Sequence, residues 1–159
     1  MTYQLHLSKL LHFVGIGVIF TTIFAGAILN GRYRKAPDWK TKLMILKLLR
    51  PIGLLSPVGV AVMLVSGILN MHFSNLGLFT ASWLTLKLVF FALTVISGIL
   101  FGVKGTQRSI LVTKLAEGNA PEGTDRSVGI LDRQQRIFYF VQLVLILIIL
   151  TLSIFKLSA

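Results

Sequence analysis

Four side chains stand where chemistry would need them: His12, His72, Trp83 and Lys87. Lys87 lies inside TASWLTLKLVFFALTVISGILFGV, residues 80–103, a run long enough to cross a bilayer. An ammonium within such a run is costly unless it finds a partner or a route to water, so it marks a functional position by default. No Asp or Glu occurs in any of the four apolar runs, so the chain offers Lys87 no carboxylate there. Three roles stay open. Lys87 extends its charge outward to the interface. It pairs with an anionic group, such as a propionate, on a ligand. Or it is neutral and moves protons. A histidine one or two turns inside a span can ligate haem iron or carry protons. His12 and His72 are therefore the candidate metal ligands, and His12 and Lys87 the candidate catalytic groups. The plainer alternatives are a hydrogen-bonded interface histidine for His12 and a loop residue for His72.

The elements that position these groups follow from composition. The 159 residues are 55% hydrophobic and only 13% charged, with a mean hydropathy of +0.84. That is too little charge for a water-exposed surface, and it points to one integral membrane domain over residues 1–159. The expected fold class is all-α: a polytopic membrane protein with four transmembrane helices in an antiparallel bundle. The spans are expected at residues 10–29, 51–71, 80–103 and 137–155. Cysteine is absent, which removes disulfides and thiolate metal sites.

The net charge is +11, and nearly all of it lies between the spans. Seven basic residues fall within 30–50 and six within 104–136. By the positive-inside rule both loops are cytoplasmic, and both termini lie outside the cytoplasm of a bacterial inner (plasma) membrane. Outside these loops the cations are few, Lys9 and Lys156 flanking the first and last spans. The basic loops are expected to face anionic lipid headgroups rather than nucleic acid. Residues 38–50 form either an interfacial helix or the start of the second span. Residues 104–136 look like a solvated helical hairpin with local ion pairs. The fourth span, nearly all Leu, Ile and Val, looks peripheral and lipid-facing, with Gln142 as a helix–helix hydrogen bond.

Depth can be counted from the inner ends at about 1.5 Å per residue. His12 is then roughly 30 Å above Arg32, Lys87 roughly 25 Å above Lys104, and His72 roughly 33 Å above Arg50. All three converge on the outer third of the bundle, with Trp83 one turn beyond Lys87. The chain has no paired carboxylates, no phosphate-binding loop and no nucleophile with an evident base. Hydrolysis and nucleotide chemistry therefore have no residues to work with.

SKLLHFVGIGVIF resembles the opening helix of small bacterial four- or five-helix membrane proteins, and ASWLTLKLVFFALTVISGILFGVKG resembles their third helix, with its Trp-Leu-x-x-Lys-Leu pattern. LLRPIGLLSPVGVAVMLVSGIL resembles their second. The group includes the haem-pathway membrane protoporphyrinogen oxidase and the copper-resistance D-type proteins. The resemblance covers roughly residues 8–105. It implies that His12 and Lys87 are the key residues. Thr85 stands where the oxidase has a histidine, so the resemblance places the chain as a relative of the group rather than as the oxidase itself.

The leading expectation is a protein that binds haem or a porphyrin-like ligand at an outer-side site between spans one to three. It would be an oxidoreductase if it is an enzyme. His12 would ligate iron or shuttle protons, Lys87 would pair with a propionate or another anion, Trp83 would pack on the ligand, and His72 would support them. A cofactor-free scaffold or accessory subunit, joining a homo-oligomer or a membrane complex, is the alternative. A small transporter is the third.

Overall fold

The computed structural model describes residues 2–75, 77 and 82–155. Lys156 and the first two residues of the expected third span, 80 and 81, lie outside them. The described residues form four helices: α1 Thr2–Lys35, α2 Trp39–Phe73, α3 Ser82–Ala116 and α4 Thr124–Phe155. All four are long and apolar enough to cross a membrane. The protein is an all-α, polytopic membrane protein whose helices pack as an antiparallel bundle. The α1–α2 and α3–α4 contacts are the most extensive, α2–α3 and α1–α4 close the ring, and α1 and α3 face each other across a diagonal.

The helices are longer than the apolar runs. At 32 to 35 residues each is about 50 Å long, against roughly 30 Å of hydrocarbon. The surplus lies largely at the basic end. Residues 38–50 are not a separate interfacial helix. Trp39 begins α2, which continues without interruption through Pro51 and Pro57. Pro51, where the second span was expected to begin, is therefore an interior residue of α2. Asp38 caps α2: its carboxylate accepts from the Thr41 amide and from Thr41 Oγ1, both at 2.8 Å. Those bonds hold the Asp38 carboxyl below its ordinary range. The cap is complete at neutral pH and weakens as pH falls through that lowered value.

Two apolar cores lie along the bundle. Ile19, Ile23, Met63 and Ile146 form one. Tyr33, Leu46, Val112 and Val128 form the other, at the basic end. The segments on either side of the 117–123 turn are thus not a solvated hairpin. Val112 and Val128 are buried against α1 and α2 because apolar positions there keep helical spacing beyond the spans. The fourth helix is not peripheral either. Gln142, Ile146, Ile149 and Leu152 turn one buried stripe inward, while Leu147 and Ile154 face out.

Small residues set the α1–α2 distance. A Cβ on Gly15 would lie 2.8 Å from Met63 Cγ, and one on Gly59 2.9 Å from Ile19 Cγ1. Gly98 and Gly102 meet nothing within 4 Å, so the GxxxG of α3 faces away from the bundle. Gly59→Leu should therefore lower the thermal midpoint in detergent, by about 1–3 kcal/mol of overpacking. Gly102→Leu should leave it unchanged.

Candidate functional site

His12 projects from α1 toward α2, where its Nδ1 is 3.1 Å from Ser66 Oγ. Ser66 has one proton and gives it to the carbonyl of Val62, one turn back on its own helix. That arrangement suits the tautomer in which Nδ1 donates, and the ring also lies against the Met63 backbone carbonyl. A histidine whose other nitrogen is held by a hydrogen bond is the form that binds metals or accepts protons. Gly67 gives the ring its space: a Cβ there would sit 3.6 Å from His12 Cε1. One level further out, Ser8 Oγ donates to Asn70 Oδ1 at 2.6 Å.

Lys87 enters from α3. It lines a cavity of about 40 Å³ with Ile16, Phe20, Met63, Phe91 and Ser153, contributed by all four helices. The walls are almost wholly apolar. Ser153 and Thr94 also line the cavity, but their hydroxyls donate to Ile149 and Phe90 carbonyls on their own helices. They offer lone pairs only. Among the described residues no carboxylate pairs with Lys87. Its charge does reach His12 electrostatically, so the structure brings these two sequence candidates to one level.

The other two candidates are less closely joined. Trp83 is half-buried one turn before Lys87, on the same side of α3. His72 is exposed at the end of α2, its ring edge-on to Phe73 with centroids 5.5 Å apart. It lies six residues beyond Ser66, about 9 Å along the helix from the serine that holds His12. Among the described residues no group of three or more His, Cys, Asp or Glu could hold a metal ion.

The most heavily buried charge lies at the other end and was missed by sequence reasoning. Arg108 of α3 is 2% exposed. Its Nε is 2.7 Å from Asp132 Oδ1 of α4. The approach is off the N–H line, so this is an ion pair rather than an aligned hydrogen bond. Nη1 donates to Asn30 Oδ1 of α1 at 2.9 Å. The guanidinium stacks on Tyr33, 3.8 Å from the ring centroid, and Tyr33 is 0% exposed. Lys42 of α2 lies over the Tyr33 and Trp39 rings at 5.5 and 4.3 Å. α1, α3 and α4 therefore meet at one guanidinium, and α2 joins the cluster through Lys42 on the Tyr33 ring. The signal was present in the register: Arg108 shares the i, i+4, i+7 stripe of Val112 and Leu115, and Asp132 shares that of Val128 and Gln135.

No family model, curated protein or solved structure matches this chain.

Removing Arg108 alone leaves the half-buried Asp132 carboxylate without its partner. Arg108→Met should cost about 3–5 kcal/mol. The double variant Arg108→Met/Asp132→Leu should recover most of that loss. Unfolding by denaturing detergent, followed by circular dichroism, measures both.

Proposed function

We propose that this multi-pass membrane protein binds an apolar ligand that carries an anionic group, of the haem or porphyrin class, at the level of His12 and Lys87. One observation carries the reading: Lys87, which pairs with no carboxylate among the described residues, lines an apolar cavity and acts electrostatically on His12, itself held at Nδ1 against Ser66. In hydrocarbon, such a lysine is best satisfied by an anion that arrives with the ligand. The donor set suits a porphyrin: His12 Nε2 would face iron and Lys87 a propionate, with Trp83 as an aromatic wall. When bound, the iron would supply one-electron chemistry. His12 and Lys87 would position it, and the apolar walls would exclude water. A cavity of about 40 Å³ admits only an edge of such a ligand. Binding therefore requires the α1–α4 seam, the least extensive of the four helix contacts, to part. By the positive-inside rule the His12 end faces outward and the Arg108 end faces the cytoplasm of a bacterial inner membrane.

A second reading is a cofactor-free scaffold or accessory subunit. It is supported by the outward-facing Gly98 and Gly102 of α3, which would let a helix of a second copy or a partner approach closely.

The test is the visible absorption spectrum of the detergent-purified protein, oxidised and dithionite-reduced, from cells supplied with a haem precursor. A Soret band is expected. His12→Ala should remove it, and Lys87→Met should weaken haem affinity about 10- to 100-fold, the size of a lost charge-assisted bond. A flat spectrum from folded, haem-supplied protein would overturn the haem reading and favour the scaffold.

A further inference from the structure

The start of α2 and the end of α3 enclose a groove of about 290 Å³, lined by Lys40, Leu43, Met44, Lys47, Ala116 and Glu117. Lys40, Met44, Lys47 and Leu48 fall on one side of α2 at helical spacing, and all four are exposed. Met44 is 66% and Leu48 56% exposed. Lys42 is held over aromatic rings, so the cations that face outward here are Lys40 and Lys47.

Lipid accounts for only the inner part of this stripe. The hydrocarbon boundary lies near Arg50, the residue that meets the apolar run of α2. Lys47 is about 4.5 Å beyond it, Met44 about 9 Å and Lys40 about 15 Å. The headgroup layer is only about 5–7 Å deep on each side. Lys47 therefore reaches headgroups, whereas Met44 and Lys40 stand past them in water. Exposed apolar surface in water next to paired cations is the pattern of a docking face. The whole end is basic: residues 30–50 and 104–136 hold 13 Lys and Arg against 5 Asp and Glu. The one buried pair, Arg108 with Asp132, neutralises itself. A second copy would bring the same excess of positive charge and be repelled.

We propose that this groove docks an acidic amphipathic segment of a partner protein. Apolar side chains of the segment would cover Met44 and Leu43, and its carboxylates would meet Lys40 and Lys47. Glu117 at the α3 lip disfavours the reversed placement of charge. The inference is independent of the His12–Lys87 reading.

The experiment uses the full chain in its own membrane, with a benzophenone amino acid at position 44 or, separately, at position 48. Illumination should give a protein adduct whose cross-linked peptide, sequenced by mass spectrometry, is rich in Asp and Glu around apolar residues. Lys40→Glu/Lys47→Glu should reduce that adduct at least fivefold while leaving the thermal midpoint in place. The same probe at Ile99, exposed within the span, should capture lipid. An adduct to phospholipid at position 44, an adduct to a second copy, an adduct that survives charge reversal, or no protein adduct at either position would each overturn the proposal.

Discussion

A buried guanidinium must be answered on every side, and at Arg108 the answering groups come from α1 and α4. Asp132 supplies charge, Asn30 a carbonyl oxygen and Tyr33 an aromatic face, and Lys42 of α2 lies 5.5 Å from the centre of that ring. Arg108 Nη2 and Tyr33 Oη are buried and make no aligned hydrogen bond, so the cluster is held by charge and ring stacking more than by hydrogen bonds. Apolar contacts between these helices can slide by a turn at modest cost. A charge centre with fixed partners cannot, because a shifted register would leave a carboxylate or a guanidinium unpaired in a low-dielectric interior. The relative heights of the helices depend on this one cluster.

That register has consequences at the opposite end. Arg108 and Lys87 are 21 residues apart on α3, about 31 Å, the thickness of the hydrocarbon itself. Holding α1 at Asn30 therefore also holds His12 at the level of Lys87. Between the two ends, Gln142 ties α4 to the Thr94 carbonyl and to Ser97, at 3.0 and 2.7 Å. Gln135 binds the Phe101 carbonyl at 2.9 Å. Polar side chains thus carry the alignment of α3 and α4 through the region where lipid gives apolar contacts no preferred depth.

The two ends differ in what they leave unsatisfied. The basic end consumes its buried ion pair internally and keeps surplus cations on its surface. The His12 end consumes hydroxyl protons on its own backbone and leaves Lys87 without a carboxylate among the described residues. The first arrangement stabilises a fold. The second is suited to a ligand, since a site that is already satisfied has nothing left with which to bind one.

The sequence by itself determined the class of molecule and the number of spans, and it singled out His12 and Lys87 as candidates. Hydropathy and run length decide what can enter a bilayer, and those are local quantities. Gln142 was also legible, because an isolated amide in a span needs an interhelical partner. The tertiary structure decided the rest. Residues 38–50 and 107–136 carry enough charge to look like surface. Whether Arg108 and Asp132 are solvated or paired depends on which helix faces they occupy once α3 and α4 are in register. The outward face of Gly98 and Gly102, the inward stripe of α4 and the separation of His72 from His12 are likewise properties of rotation about each helix axis. Composition does not encode that rotation. It is set by the few long-range contacts, Arg108 to Asn30 and Asp132, and His12 to Ser66, that form only when the bundle closes.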